Sequence, residues 1–278
     1  MTAVSVSEGE EWVAEASVAG RPCWYELGTT DLVGAGDFYR QVMDWTVTAP
    51  MVTEVPYLVA VVDERAIAGF MLTAAQIGAP PPGWIPYFAT ADCAATAAAV
   101  TGAGGEVLTP PTALPGIGTV AIASDPGGAV FGVIRLSDDH AAFTTRHARR
   151  NWHELMSRDP ESALAFYGAV FGWRAGITHT MDHVGDACTI TVGDDVIGSV
   201  MRMADDAPES VWLPYLGVSD LPETLRRIGL TGGRVMHGPA DMPDGRLIAV
   251  AADPQGAWFA LVGDAPDETP TTLRLRSA

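Results

Sequence analysis

Trp152-His153-Glu154-Leu155 repeats the pattern of Trp24-Tyr25-Glu26-Leu27 at a distance of 128 residues. Further identical residues keep the same distance: Asp31 and Asp159, Phe38-Tyr39 and Phe166-Tyr167, Trp45 and Trp173, Trp84 and Trp212, Asp125-Pro126 and Asp253-Pro254. Chance does not hold one register over so long a stretch, and a fixed period marks a duplicated structural unit. The sequence therefore predicts two homologous halves.

The domain organisation follows from this repeat. We place the two halves at residues 21–136 and 149–263, with a linker at 137–148. Residues 1–20 form an acidic N-terminal tail and residues 264–278 a Pro/Thr-rich C-terminal tail. The first tail lacks the basic start and apolar centre of a signal peptide, and no apolar run is long enough to span a membrane. The three scattered cysteines form no C-x-x-C pair and are expected to be reduced, which predicts a cytoplasmic protein.

Each half contains one smaller unit twice. In the first unit, a strand at Cys23–Gly28 leads to the helix-capping Asp31, a helix that ends near Met43 and three strand-like stretches. The second unit begins again with a strand at Trp84–Ala89 and a helix capped by Asp92. These patterns predict an α+β fold of four βαβββ modules. Two pairings remain open: module one with two and three with four, or one with four and two with three.

The charge balance limits the partners. The chain of 278 residues has 34 acidic and 16 basic residues, a formal net charge of −18. Such a surface repels nucleic-acid phosphates and anionic membranes. We therefore expect no nucleic acid and no membrane, but a neutral or cationic small molecule as partner. Both a monomer and a homodimer are compatible with four modules in one chain.

The module order, with Phe38-Tyr39 or Phe166-Tyr167 on a helix and Asp125-Pro126 or Asp253-Pro254 in a late turn, resembles the vicinal oxygen chelate superfamily. This superfamily includes glyoxalase I, bleomycin-resistance proteins and extradiol dioxygenases. The W-x-E-L pattern with four modules in one acidic chain is similar to glyoxalase-like proteins of actinobacteria. The resemblance covers nearly the whole chain apart from its ends and linker. It implies that the modules pair into two open, barrel-like domains, each around a cavity.

The resemblance also implies where a metal would be bound. Enzymes of this superfamily hold a divalent metal with His, Gln or Glu on the first and last strands of paired modules. The matching first-strand positions in this sequence are Trp24, Ile85, Trp152 and Leu213, and the last-strand positions fall at or beside Gly132 and Ala260. None of these side chains is a metal ligand. We therefore expect no metal and no other cofactor. A displaced site would have to use His153, Glu154, His179, His183 or Asp186.

Strand alternation selects the side chains that would line the two cavities. The candidate ligand-binding residues are Trp24, Glu26, Tyr87, Trp152, Glu154, Met156 and Tyr215. Aromatic and aliphatic walls with few polar groups suit a flat apolar ligand. Tyr87 and Tyr215 are candidates to donate a hydrogen bond to a ligand carbonyl. Glu26 and Glu154 are the catalytic candidates if the protein is an enzyme, because burial raises the pKa of a carboxyl into the range of a general acid or base.

These features support several functions. The first hypothesis is a metal-free protein that binds an aromatic or polycyclic, possibly cationic, metabolite or antibiotic, in natural-product biosynthesis or self-resistance. The alternative is a natural-product cyclase or isomerase that transfers protons through Glu26 or Glu154. A further alternative is a metal-dependent glyoxalase-like lyase or dioxygenase with a displaced metal site, and the last is a structural or regulatory protein without a ligand.

Overall fold

The computed structural model describes residues 19–49, 56–73, 82–115, 117–137, 152–181, 185–203, 209–242 and 245–264. The first half contains β1 (Pro22–Thr29), α1 (Leu32–Met43), β2 (Thr46–Thr48), β3 (Tyr57–Val62), β4 (Arg65–Leu72), β5 (Gly83–Ala89), α2 (Cys93–Gly102), β6 (Glu106–Leu114), β7 (Gly118–Ser124) and β8 (Val130–Leu136). The second contains β9 (Trp152–Ser157), α3 (Pro160–Phe171), β10 (Arg174–Met181), β11 (Gly185–Val192), β12 (Asp195–Arg202), β13 (Val211–Gly217), α4 (Leu221–Leu230), β14 (Arg234–Asp241), β15 (Arg246–Ala252) and β16 (Trp258–Asp264). Each half repeats the βαβββ order twice, so the predicted fold class is confirmed.

Each half forms one eight-stranded sheet. The strand orders are β2-β3-β4-β1-β5-β8-β7-β6 and β10-β11-β12-β9-β13-β16-β15-β14. The first strands of the two modules lie side by side and antiparallel at the centre, β1 with β5 and β9 with β13. Within the sheets, module one therefore pairs with two and module three with four. Among the described strands, the two end strands of each sheet do not pair with each other, so these sheets are open.

The four helices of the described residues begin where the sequence predicts. Asp31, Asp92, Asp159 and Asp220 are the N-caps, and each carboxylate accepts a hydrogen bond from a backbone N–H of the first turn. An aspartate at this position satisfies a donor that the helix leaves unpaired, which stabilises the helix by about 1 kcal/mol. The caps thus fix the start of each helix directly after the first strand of its module.

The two halves pack against each other through their helix-covered faces. One buried cluster joins module one, including Tyr39 and Phe70, to module four, including Leu221 and Phe259. A second cluster joins module two to module three in the same way. Both pairings left open by the sequence are therefore present: one arrangement holds within the sheets and the other between the halves.

The repeated motifs meet at this contact between halves. Trp84 donates to the Tyr39 hydroxyl over 2.9 Å, and Tyr39 donates to Asp253 of the other half over 3.4 Å. Phe38 lies over Gly233, where an added Cβ would come within 2.9 Å of its ring. The F-Y pair of an odd module is therefore matched to the glycine and aspartate of an even module in the opposite half.

The pseudo-twofold-related contact, between modules three and two, uses the second copy of each motif. Trp212 donates to Tyr167 over 2.8 Å, and a Cβ on Gly105 would come within 2.8 Å of the Phe166 ring. Asp125 accepts from the backbone N–H groups of Gly127 and Ala129, as Asp253 does from Gln255 and Ala257. A buried carboxylate is costly unless such donors surround it, which explains why the D-P turn keeps this geometry.

Within the described residues, no helix has the length and apolarity needed to cross a membrane.

Candidate functional site

Each sheet has a second face, turned away from the helices, which we call the first or second cavity face according to its half. On β1, Tyr25 and Leu27 enter the helix-side core, whereas Trp24 packs with Ile85 and Tyr87 in a separate cluster. In the second half, the separate cluster contains Leu213, Tyr215 and Ala260, with Met156 packed against it. Alternation along a strand places Glu26 beside Trp24, and Glu154 beside Trp152 and Met156.

On the second cavity face, Glu154 lies at the centre of a hydrogen-bonded group. Ser199 on β12 donates to Glu154 Oε1 over 2.8 Å, and Tyr215 on β13 donates to Glu154 Oε2 over 2.8 Å. The indole Nε1 of Trp152 donates to Ser199 Oγ over 3.2 Å. Glu154 is 4% and Ser199 1% exposed, whereas Trp152 is 36% exposed. Two strand partners thus hold a buried carboxylate beneath an accessible indole.

On the first cavity face, Glu26 has different partners. Its side chain is hydrogen-bonded by Tyr57 from β3 and by Trp24, and Trp24 also hydrogen-bonds the Tyr57 side chain. The Tyr57 hydroxyl therefore lies between an indole and a carboxyl group, as the Ser199 hydroxyl does on the second cavity face. The hydroxyl comes from a different strand and brings an aromatic ring with it.

The strand register shows why Tyr57 occupies the place of Ser199. Glu26 lies opposite Gly69, as Glu154 lies opposite Ser199. Tyr57 lies opposite Met71, as Ala187 lies opposite Met201. A Cβ on Gly69 would overlap the Tyr57 hydroxyl. The pair Tyr57 and Gly69 in the first half thus corresponds to the pair Ala187 and Ser199 in the second. Gly69 leaves the space that the tyrosine hydroxyl fills.

Tyr87 and Tyr215, which were predicted to bind a ligand, differ in orientation. Tyr215 reaches Glu154, but Tyr87 lies flat over Gly132, where a Cβ would overlap its ring. The first cavity face is therefore covered by two tyrosine rings of the chain itself, Tyr57 and Tyr87. The second face carries Ala187 in place of Tyr57, and its tyrosine stands toward the carboxylate.

Sequence reasoning missed three residues of these faces. The predicted cavity residues all lie on the first strands of the modules, whereas Tyr57 lies on β3 and Ser199 on β12. Trp258 is 46% exposed and precedes Phe259, which is buried in the helix-side core. Trp258 therefore shares the second cavity face with Ala260, and strand parity counted from Phe259 would have identified it. Its counterpart in the first half is Val130, so the second face has an additional aromatic side chain.

His153 lies on the opposite side of β9 from Glu154. It is 2% exposed, and its Nδ1 contacts the hydroxyl of Tyr25, its counterpart in the first half. Burial lowers the pKa of His153 to about 3, so the imidazole is neutral at pH 7. His153 and Glu154 cannot therefore bind one ligand together. His179 lies on β10, Asp186 accepts from Thr180, and His183 falls outside the described residues.

A cleft of about 420 Å³ lies apart from both glutamates, at the start of α3. It is lined by Asp125, Pro126, Gly127, Ser157, Arg158, Asp159, Ser162, Ala163 and Ser210. At the corresponding place in the other half, the side chain of Gln255 accepts from the backbone N–H of Thr30 over 2.9 Å. The cleft thus exists because Gly127 stands where the other half has Gln255. It contains none of the predicted site residues.

Comparison with known proteins gives a consistent family. The family model of the glyoxalase/bleomycin resistance protein/dioxygenase superfamily matches residues 146–261. CFP32 of Mycobacterium tuberculosis, which is provisionally named a glyoxylase, is 31% identical over 262 residues, covering 90% of this chain and 97% of that protein. The chain belongs to this superfamily. The anthracycline biosynthesis protein DauV of Streptomyces sp. strain C5 is 32% identical over 268 residues, covering 87% of this chain and 93% of its own.

Solved structures share the superfamily fold at low identity. The 2,3-dioxygenase LapB from Pseudomonas sp. KL28 superimposes with a TM-score of 0.61 at 14% identity, covering 92% of this chain and 97% of that chain. The Mn(II)-bound glyoxalase from Novosphingobium aromaticivorans gives a TM-score of 0.56 at 15% identity, covering 89% of this chain and 83% of that chain. These likenesses establish the fold alone.

The cavity faces do not fit the divalent metal that the superfamily implies. Among the described side chains, the hydrogen-bonded group on each face contains one carboxylate, Glu26 or Glu154, and Glu154 already accepts from the hydroxyls of Ser199 and Tyr215. In the part of the chain that the structure describes, no three His, Cys, Asp or Glu side chains lie close enough to hold a metal ion. A hard cation needs several oxygen ligands, and zinc or iron needs nitrogen, thiolate or carboxylate. The described side chains of the two cavity faces therefore lack the ligand set that such a metal requires.

Burial changes the pKa of both glutamates. It raises the pKa of Glu26 from 4.5 to about 7, although hydrogen bonds from Tyr57 and Trp24 oppose this effect. It also raises the pKa of Glu154, against hydrogen bonds from Ser199 and Tyr215. A carboxyl with a pKa near 7 exchanges a proton at neutral pH, which is a property of a general acid or base.

The raised pKa of Glu26 predicts a pH-dependent stability. Because the folded state binds its proton more tightly than the unfolded state, stability is gained as the pH falls through 7 and lost as it rises. Between pH 8 and pH 5 this effect amounts to about 2.5 kcal/mol. Glu26→Gln does not ionise, so the variant should lack this gain. Urea unfolding of both proteins at the two pH values measures the difference, and the opposite contribution of His153 cancels because both proteins contain it. Parallel pH profiles would contradict the prediction.

Proposed function

We propose that the chain is a metal-free small-molecule-binding protein that holds a flat aromatic ligand on its second cavity face. One observation carries this proposal: a buried carboxylate, held by Ser199 and Tyr215, lies beneath the accessible indole of Trp152. Accessible aromatic groups around a few fixed polar atoms are typical of sites for flat ligands.

The first cavity face is the poorer candidate for the same role. Tyr57 places its hydroxyl over Gly69, and Tyr87 lies over Gly132. Both rings occupy space that a ligand would need. The second face has Ala187 at the position of Tyr57 and adds Trp258, so a planar molecule finds more room and more aromatic surface there.

We further propose a role in natural-product biosynthesis or self-resistance. The similarity to DauV, which is named an anthracycline biosynthesis protein, supports this role. An aromatic polycyclic ligand agrees with it, and the net charge of −18 disfavours an anionic one. We also propose a cytoplasmic location, since Cys23, Cys93 and Cys188 are free thiols and such thiols persist in a reducing compartment.

A second candidate is a metal-independent cyclase or isomerase. The pKa of about 7 at Glu26 and the raised pKa of Glu154 favour it, because proton transfer works best with a group that titrates near the operating pH. The two functions differ in turnover. Glu154→Gln would abolish turnover under the enzymatic reading, whereas a binding protein shows no turnover with any variant.

Calorimetric titration of chelator-treated protein with 1-naphthol tests the binding proposal. We expect one binding site and a rise in melting temperature, because a ligand at about 100 times its Kd stabilises the native state by about 2.7 kcal/mol. Trp152→Phe should weaken binding at least threefold, whereas the matched change Trp24→Phe on the first face should not. Absence of binding, or binding that requires a restored equivalent of metal, would contradict the proposal.

A further inference from the structure

We infer that the group around Glu154 on the second cavity face, formed with Trp152, Ser199 and Tyr215, accepts hydrogen bonds from the ligand and donates none. The site would then select an aromatic molecule carrying a hydroxyl group over the corresponding ether or carbonyl compound. This inference rests on the proposed binding function and adds the chemical class of the ligand. It follows from the direction of three hydrogen bonds.

The indole of Trp152 fixes the first direction. An indole N–H is a donor and never an acceptor, and Trp152 Nε1 lies 3.2 Å from Ser199 Oγ. Ser199 therefore accepts from Trp152, and its single hydroxyl proton must be directed elsewhere. The oxygen at 2.8 Å is Glu154 Oε1, so the proton of Ser199 points to the carboxylate.

Tyr215 uses its proton in the same way. Its hydroxyl lies 2.8 Å from Glu154 Oε2, and an ionised carboxylate can only accept. Two hydroxyl donors also stabilise the ionised form of Glu154, against the effect of burial. All the polar protons of this group are thereby used within it. Lone pairs on Tyr215 and Glu154 are what remains for a ligand.

The surroundings favour a neutral hydroxyl over an ammonium group. Leu213, Ala260 and Met156 pack around Tyr215, and Tyr215 is itself 8% exposed. A phenol needs one acceptor. An ammonium group brings three donors and a full charge. Glu154 can accept from one of these donors, but the apolar side chains leave the others unpaired, which makes the transfer of the group from water costly. A ligand hydroxyl can be directed at Tyr215 and Glu154 while its ring lies against the apolar wall.

The direction of the hydrogen bond between Tyr215 and Glu154 also changes the role predicted for Tyr215. The sequence suggested that this tyrosine donates to a ligand carbonyl. Its proton is instead bound to Glu154, so a carbonyl oxygen placed there would meet two acceptors and no donor. Sites that hydrogen-bond a substrate hydroxyl reject the analogue that lacks it, because a buried polar group is left unpaired.

Three probes of similar size test this inference: 1-naphthol, 1-methoxynaphthalene and protonated 1-naphthylmethylamine, titrated by calorimetry at pH 8. We expect 1-naphthol to bind at least tenfold more tightly than either of the others. In Glu154→Gln the carboxamide supplies an N–H donor, so the preference for naphthol over the ether should fall to less than threefold. Glu106→Gln, an exposed change of the same kind, should keep the wild-type preference.

The outcomes separate this inference from the function on which it rests. Equal binding of naphthol and ether, or tighter binding of the ammonium probe, would overturn the acceptor-only site while the binding function stands. An unchanged preference in Glu154→Gln would also overturn it, because the selectivity would then arise elsewhere. If none of the probes binds the folded wild-type protein, the binding function and this inference fail together.

Discussion

The double variant Ala187→Tyr/Ser199→Gly should lose about 100-fold in affinity for 1-naphthol, which corresponds to about 2.7 kcal/mol. The two changes transfer the Tyr57 and Gly69 pair of the first half to the matching positions of the second. The new tyrosine hydroxyl would replace that of Ser199 beside Glu154. Its ring would then cover the surface on which we place the ligand.

Both changes are needed because a tyrosine hydroxyl and a Cβ cannot share this space. On the first face, a Cβ at position 69 would overlap the Tyr57 hydroxyl. Ser199→Gly alone removes a hydroxyl without adding a ring, and it serves as the control for loss of the hydrogen bond. We expect this single variant to bind at most tenfold more weakly than the wild type.

The reciprocal variant provides the matched comparison. Tyr57→Ala/Gly69→Ser gives the first face the residues of the second, and we expect calorimetry to detect a second, weaker site for 1-naphthol. Wild-type affinity in Ala187→Tyr/Ser199→Gly would show that the ligand does not occupy the second cavity face. Melting curves establish that each double variant is folded.

Phe166→Ala should lower the free energy of unfolding by about 3–5 kcal/mol, the usual cost of removing a fully packed phenylalanine. Phe166 is 3% exposed and packs edge-on against Tyr167 and Phe131. It also lies over Gly105 of the other half. The cavity would open where α3 contacts module two, at the packing between the halves.

The internal symmetry supplies two controls for this measurement. Phe38→Ala removes the equivalent ring of the first half, which lies over Gly233. In urea unfolding it should lower the free energy of unfolding by a similar amount. Val33→Ala alters a side chain on α1 that is 71% exposed and should change stability by less than about 0.5 kcal/mol. A loss below about 1 kcal/mol for Phe166→Ala would contradict the packing described for the two halves.

Sequence periodicity predicted the sheets, the helix starts and the faces of the first strands. Alternation along β1 and β9 was sufficient to separate Glu26 and Glu154 from Tyr25 and His153, because a strand repeats every two residues. The contact of Tyr39 with Asp253 did not follow, since it joins distant modules of different halves and no local pattern encodes it.

The difference between the two cavity faces was hidden by a small change in spacing. Equivalent residues are 128 positions apart up to Trp45 and again from Trp84 onward. Between them, Gly69 and Ser199 show that the distance is two residues longer on β4 and β12. At a constant distance, Gly69 is aligned with Ile197. The exchange of Tyr57 and Gly69 for Ala187 and Ser199 appears only when the strand register is known.

The direction of the hydrogen bonds also required the structure. The sequence places Trp152, Glu154 and Tyr215 on one face, and it allows either tyrosine proton donation to the ligand or donation to the glutamate. The distances from Glu154 to Ser199 and Tyr215 decide between them. The predicted domain boundaries, location and oligomeric state stay predictions.

The indole resonances of the tryptophans test the central claim most directly. In protein labelled with ¹⁵N-tryptophan, the eight indole N–H groups give separate signals, and Trp152→Phe and Trp24→Phe assign the two of interest. On addition of 1-naphthol to chelator-treated protein, the Trp152 signal should shift in proportion to occupancy while the Trp24 signal stays in place. A shift of Trp24 with no change at Trp152 would contradict the account.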